Sequence, residues 1–422
     1  MGLFKNVLLM LRGSLLGQAI GFAVLPVLAR LYLPEDFGRY QIFLSTVSFL
    51  LLAASLRYEL GILSADTDED AFALAKLCLL LNCLVAGLTL LGCLAIRIAA
   101  PAAVVKLNAA LWLLPAVLLA GGAFQTFTYL LLRSHAFRES SASRGIQALG
   151  NAAAAVGFGA AHATGVGLML ADLTGRASAI AYACGRMIAK DQRYMLWHQR
   201  TRTGRALLVK FREYPMISLP GALLDGIGGS MTPVFMLTVF GAATAGQYAL
   251  VERSITMPIG VIVQSVSQVY MASFSSALRI DGAQAAALFR KIVFTHLKIG
   301  ALPAAALFVA GRWGFKLVFG AQWSVAGQIA EIMAPLLLIS FIVAPVSMTL
   351  VMLRRQKLNS GWYIARVTLV LSAWYAISRL HLPPLSAIGI HVAVNGTAYA
   401  ALLFMIYRSL PSAVQASGSR VE

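Results

Sequence analysis

Apolar runs of about 20 residues recur along the whole chain, separated by short polar corners, and that is the length needed to carry a helix across a hydrocarbon core about 30 Å thick. Twelve such runs predict helices over Val7–Tyr32, Tyr40–Leu63, Ala71–Ile96, Ala109–Leu132, Arg144–Ala163, Val166–Ala189, Pro215–Phe240, Thr244–Ser276, Phe289–Val309, Val325–Leu353, Gly361–Leu380 and Leu385–Tyr407. Only one polar stretch is long, KDQRYMLWHQRTRTGRALLVKFREYP. The pattern therefore predicts an all-α integral membrane fold of two six-helix lobes. The N-lobe covers 1–189, a basic linker 190–214, the C-lobe 215–408 and a tail 409–422.

The first half has an echo in the second. Pro26, Gly38 and Tyr40, spread across the first polar corner, are matched by Pro233, Gly246 and Tyr248 in PVFMLTVFGAATAGQYALVERS. Internal repeats of this kind are a hallmark of transporter folds built from two similar lobes.

Composition strengthens the membrane reading. Of the 422 residues 59% are apolar and 12% charged, with a mean hydropathy of +0.79, which excludes an ordinary soluble domain. The 34 Lys and Arg outnumber the 16 acids and leave a net charge of +18. Their placement points to a membrane face and not to nucleic acid. The linker carries Lys190, Arg193, Arg200, Arg202, Arg205, Lys210 and Arg212, with Tyr194, Leu196, Trp197, Leu207, Leu208 and Phe211 between them. Such segments suit short helices on an anionic leaflet, and positive loops stay cytoplasmic. Arg133, Arg138, Arg144, Arg279, Arg290, Lys291, Arg354, Arg355 and Lys357 fall on the linker's side, which puts both termini in the cytoplasm. The acidic SADTDED loop after the second span dissents from this trend.

The four cysteines, Cys78, Cys83, Cys93 and Cys184, form no C-x-x-C pair and read as inert buried thiols. No phosphate-cradling glycine motif, cofactor motif or metal-ligand cluster occurs, and the first helix lacks a cleavage pattern and is expected to be retained. Small residues in the fifth span, from Gly150 to Ala161, suit close helix packing. Trp112, Trp313, Trp323 and Trp362 are expected in the aromatic belt, and His296, His162, Arg12 and Arg30 as solvated or snorkelling side chains.

Charges inside the spans cost several kcal/mol each unless they pair or face a water-filled path. Five acids and five bases qualify: Arg57 and Glu59, Asp172 and Arg176, Asp225, Glu252 and Arg253, Lys298, Glu331, and Arg366. Asp172 and Arg176 stand four apart, on one helical face, as a structural ion pair or as lumen groups. Asp225 falls near the midplane in PMISLPGALLDGIGGSMTP, where prolines and glycines interrupt the helix, the place where transporters put substrate or coupling-ion sites. Lys298 and Arg366 are the best anion-binding candidates, since a guanidinium offers a fork suited to phosphate oxygens. A wet, ion-lined path enclosed by two lobes would satisfy all ten.

Five segments together resemble the polysaccharide or O-antigen flippases of the MOP exporter superfamily, relatives of the MATE drug exporters. They are LARLYLPEDFGRYQ, ASLRYELGIL, FREYPMISLPGALL, GQYALVERSITMPIG and LVFGAQWSVAGQIAEIMAPLL. The resemblance implies a non-enzymatic carrier that moves undecaprenyl-pyrophosphate-linked oligosaccharide across the bacterial inner membrane by alternating access. Arg57, Arg176, Lys298 and Arg366 would then bind substrate, while Asp225, Glu59 and Glu331 would couple the cycle to protons or sodium. Membrane lipids and other polysaccharide-assembly membrane proteins would be its partners. The alternative is a MATE-like antiporter of cationic drugs, which calls for a cavity dominated by acids. A polymerase or ligase acting on the same lipid-linked substrate would need a large outer loop, and the predicted outer loops are short.

Overall fold

The computed structural model describes the backbone of residues 2–99, 101–189 and 204–418. Side chains are described for 17–99, 112–186 and 207–410, apart from 217, 221, 224–231, 257, 261 and 265. Every described element is helical, and each of the twelve expected spans coincides with a helix. Contacts group the chain into two compact units, Met1–Gly246 and Gln247–Glu422.

In the first unit α1 (Gly2–Leu31) and α2 (Pro34–Ala54) are followed by α3 (Glu59–Ser64), α4 (Asp68–Ala99), α5 (Pro101–Arg133), α6 (Phe137–Ala160), α7 (Gly165–Ala189) and the short α8 (Gly204–Lys210). A π-helical turn, Tyr214–Ser218, leads into α9 (Leu219–Val251), which crosses into the second unit. There a second π-turn, Glu252–Thr256, precedes α10 (Met257–Ile280). The unit continues with α11 (Gly282–Phe319), α12 (Ser324–Val343), α13 (Thr349–Met352), α14 (Gln356–Leu380) and α15 (Pro384–Gly418). Among the described residues seven helical stretches are long and apolar enough to cross a membrane on their own. The 49-residue stretch Thr232–Ile280 holds the eighth expected span and the last nine residues of the seventh. Helices α6, α7 and α14 are diluted by small and polar residues, so they depend more on packing partners.

Three expected spans differ in detail. The second is broken between α2 and α3 by a turn over residues 55–58. The seventh and eighth are joined without a polar loop, because α9 continues through Gly241, whose φ of 85° lets the chain bend where another residue would be strained. The tenth is interrupted by a 3₁₀ turn, Ala344–Val346, with a proline in its middle.

The sequence echo has a structural counterpart. Gly38 lies in the first turns of α2 and Gly246 just past the α9 bend, and the two backbones touch. A Cβ on Gly38 would overlap the Ala242 carbonyl, and one on Gly246 would overlap the Pro34 carbonyl. Each would also stand 2.9 Å from the other glycine's nitrogen. Tyr40 and Tyr248, two residues further on in each copy, are both buried.

Buried polar side chains tie helix ends that have no intrahelical partners. Asp36 accepts from the Leu33 amide at 3.1 Å and from the Gly165 amide at 2.6 Å, serving the starts of α2 and α7. In the second unit Gln247 donates to the Gln322 carbonyl at 2.8 Å and accepts from the Ala326 amide at 2.8 Å, capping α12. Trp323 is fully buried, not in an aromatic belt, and His296 is buried against Phe341 at 5.0 Å between ring centres. The Arg12 side chain lies outside the described residues. Cys78 and Cys93 are buried, but Cys83 is exposed and Cys184 half-buried.

Helices α6 and α7 pack closely through Gly150 and Gly175, where a Cβ on Gly175 would stand 2.6 Å from the Gln147 carbonyl. Backbone cannot yield there as a flexible side chain can. Gly175→Val is therefore expected to destabilise the protein by about 2 kcal/mol. Gly185→Ala, on the same helix with nothing within 4 Å, should be neutral when both are compared by thermal unfolding.

Candidate functional site

Helix α2 ends at Ala54 because the next residues leave helical geometry. Leu56 and Arg57 adopt φ of 51° and 66°, a left-handed conformation that non-glycine residues rarely take and that costs of the order of 1–3 kcal/mol per residue. Amides of the turn bond back along the chain, Tyr58 to the Ser55 carbonyl at 3.0 Å and Gly61 to the Tyr58 carbonyl at 2.9 Å. The turn places Arg57 and Glu59 on either side of Tyr58, inside a predominantly apolar bundle.

Glu59 is completely buried and fully engaged. It accepts from the Ser55 hydroxyl, from Gln125 Nε2 at 3.1 Å, and lies 3.7 Å from Arg57 Nη1. Arg57 remains about a quarter exposed, and its buried Nε has no hydrogen-bond partner. Tyr129, one turn beyond Gln125 on α5, lies within electrostatic reach of Glu59, Arg57 and Arg144.

One turn earlier on α5, Gly121 makes room for a second ionic group. A Cβ there would stand 2.8 Å from Arg176 Nη1, and Arg176 Nε donates to Asp172 Oδ2 at 2.8 Å. Residues 121 and 125 share one face of α5, about 6 Å apart along the axis. That face thus gathers Arg57, Glu59, Asp172 and Arg176, with Arg144 of α6 close by. Each acid is held by its neighbouring arginine, Glu59 by Arg57 and Asp172 by Arg176, so Arg144 is the one base in excess.

The second unit brings its candidates together less closely. Arg366 on α14 donates through Nε to Asn395 Oδ1 at 3.1 Å and stacks over Tyr399 at 4.6 Å and Trp362 at 5.7 Å. A guanidinium stacked on aromatic faces in this way is held in place by cation–π attraction. Asn395 in turn donates to the His391 carbonyl at 3.0 Å. Glu331 accepts from the Arg312 amide at 2.7 Å and so joins α12 to α11, while Lys298 is exposed on α11. No hydrogen bond or ion pair among the described residues links Lys298, Glu331 and Arg366 to one another. The Asp225 side chain lies outside the described residues.

Reading the spans one at a time singled out the charged residues but missed Ser55, Gln125 and Tyr129. Gln125 carried a usable signal, as an amide within the apolar run of α5. No group of three or more His, Cys, Asp or Glu side chains suited to a metal ion occurs among the described residues.

The linker and the dissenting acidic loop also meet. Lys210 reaches Asp70 at 2.6 Å and Asp66 at 3.0 Å, and these carboxylates hold its ammonium pKa above the ordinary lysine value. A raised pKa means the contribution is fully present below the ordinary value and fades only as pH climbs through the higher one, so the contact persists at neutral pH. Leu207 and Phe211 are buried within the first unit's core and do not lie on a leaflet, because the side chains of Tyr58, Ile62, Leu74 and Cys78 offer them an apolar surface. The side chains of Lys190, Arg193, Tyr194, Leu196, Trp197, Arg200, Arg202 and Arg205 lie outside the described residues.

Comparison with known proteins supplies the lineage. A family model described as "Polysaccharide biosynthesis protein" matches residues 27–328, well over half of the chain. The chain belongs to the polysaccharide biosynthesis protein family. No curated protein matches it significantly. Among solved structures, the fold of this family member is similar to the lipid II flippase MurJ in an inward closed conformation, at TM-score 0.65 and 12% identity, covering 97% of this chain and 90% of that one. It is also similar to an inward-facing multidrug resistance MATE family transporter of the MOP superfamily, at TM-score 0.63 and 14% identity, covering 94% and 95%. A mutant of the Vibrio cholerae MATE transporter VcmN is similar at TM-score 0.58 and 14% identity, covering 96% and 95%. The family member is thus a multi-pass helical membrane protein with the MOP fold.

Proposed function

We propose that the protein is a flippase that carries undecaprenyl-pyrophosphate-linked oligosaccharide, an O-antigen or exopolysaccharide repeat unit, across the bacterial inner membrane by alternating access, with both termini cytoplasmic. The observation that carries this reading is the Arg57–Arg176 cluster, in which each acid is already paired with an arginine and Arg144 leaves one positive charge in surplus. Net positive charge within an apolar bundle suits a pyrophosphate and repels a cationic drug. Arg57 and Arg176 neutralise the pyrophosphate, and Lys298 and Arg366 serve it at another stage of the cycle. The aromatic rings beside Arg366 offer flat faces to the sugars, while the polyprenyl tail stays in lipid. Coupling to a proton or sodium gradient is assigned to Asp225. Protonation of Glu59 or Glu331 would release Arg57 or the contact between α11 and α12. Membrane lipids and other polysaccharide-assembly membrane proteins are the partners this reading calls for.

Deleting the gene is expected to leave lipid-linked repeat units on the cytoplasmic leaflet and to strip the cell surface of the corresponding glycan. Arg57→Ala should fail to restore the glycan, with Arg57→Lys restoring part of it. Normal surface glycan together with a gain in sensitivity to cationic drugs would instead identify a MATE-like antiporter.

A further inference from the structure

We propose that Lys210 is a positioning residue for the Arg57–Glu59 turn, clamping α8 onto the break between α2 and α3 so that the cytoplasmic linker sets the shape of the anion site. This rests on the pyrophosphate reading given above only in naming what the site binds. The clamp itself is visible as four separate contacts.

Lys210 closes α8 against the acidic loop through Asp70, whose side chain is 5% exposed, and through Asp66, which is open to solvent. Leu207 and Phe211, on either side of that ion pair, are buried in a cluster that includes Tyr58, Ile62, Leu74 and Cys78. Tyr58 donates its hydroxyl to the Leu208 carbonyl at 3.4 Å, and Tyr58 is the residue between Arg57 and Glu59. Past the turn, Ser64 Oγ meets the Tyr214 hydroxyl at 2.7 Å, and the ring atoms of Phe211 and Tyr214 lie 3.3 Å from where a Gly61 Cβ would stand. The left-handed residues Leu56 and Arg57 are therefore bracketed by a turn that α8 grips from the cytoplasmic side. Strained backbone persists only where its surroundings over-determine it, and α8 supplies part of that surround.

The direction of control follows from chain connectivity. Tyr214 opens the π-turn that leads directly into α9, so displacement of α9 pulls on the same residues that hold Ser64 and Gly61. Loosening the clamp frees the turn and lets Arg57 leave its place beside Glu59. The acidic SADTDED loop, against the trend of the other cytoplasmic loops, is acidic because it receives Lys210 and, through Asp68, Arg133 at 3.0 Å.

The test uses the full-length protein in nanodiscs, as wild type, Lys210→Gln, Asp70→Asn, Lys210→Arg and the swap Lys210→Asp with Asp70→Lys. Hydrogen exchange at the Tyr58–Gly61 amides should quicken by about tenfold in the two neutralised variants at unchanged global unfolding temperature. Inorganic pyrophosphate, used as the probe, should bind them about fivefold more weakly than wild type. Lys210→Arg should behave as wild type, and the swap should recover both readings. Unchanged exchange at the turn in Lys210→Gln overturns the proposal, as does a folded swap variant that recovers neither reading. Faster exchange at the turn, with no pyrophosphate bound even by wild type, supports the clamp and overturns the substrate assignment instead.

Discussion

On the flippase reading proposed above, Gly38→Val is expected to cut transport to a tenth or less of the wild-type rate, raising the rate-limiting barrier by at least about 1.4 kcal/mol. The position has no room for a side chain. Its missing Cβ would overlap the Ala242 carbonyl, and the Gly246 nitrogen is 2.9 Å away from the same point. The obstacle is backbone on every side, so a valine forces the start of α2 away from the α9 bend, and the reciprocal Gly246→Val does the same through the Pro34 carbonyl. Gly21→Ala, at a site with nothing within 4 Å, is the matched control and should transport normally. Measured as restoration of surface glycan in a deletion strain, wild-type function from Gly38→Val would show that the cycle never needs these helices in contact.

Removing the buried acid has the second large effect. Glu59→Ala is expected to destabilise the protein by about 3 kcal/mol, because it strips Arg57 of its counter-ion and leaves the Ser55 hydroxyl and the Gln125 amide without their acceptor. Glu59→Gln keeps an acceptor oxygen and the side-chain volume, so its cost should be nearer to about 1.5 kcal/mol. Thermal unfolding of the purified variants ranks the two. Equal unfolding temperatures for Glu59→Ala and wild type would mean that Arg57 has a solvent route that makes the carboxylate dispensable. If Glu59→Gln folds but no longer responds to a proton gradient, the acid also belongs to the coupling machinery.

Much of the fold was legible in the chain. Twelve apolar runs became helices because the cost of exposing peptide groups to lipid is met within each segment, without help from distant residues. The Pro26–Gly38–Tyr40 echo was legible too, yet nothing local revealed that the two glycines of the repeat touch one another. The breaks were harder to see. Leu56 and Arg57 are not residues that announce a left-handed turn, and only the packing of Tyr58, Ser55 and Glu59 holds them there. Trp323 looked like an interfacial aromatic and proved to be core, because Gln247 draws the start of α12 inward.

The candidate site shows the same division at the level of side chains. Its charged residues stood out singly, since a lone charge in an apolar run is expensive wherever it points. Gln125 and Gly121 join two of those charges into one cluster, and they stand 66 and 55 positions from Glu59 and Arg176. The acidic loop made sense only once Lys210, some 140 residues downstream of Asp70, was found against it.

Taken alone, the amino-acid sequence determined the membrane-spanning helices and the set of costly charges within them, because each follows from the transfer energy of a short segment. Tertiary structure decided which charges are engaged, where the helices break and which glycines must stay bare. Those outcomes depend on the rotation and register of helices far apart in the chain, quantities that no single segment's hydrophobicity contains.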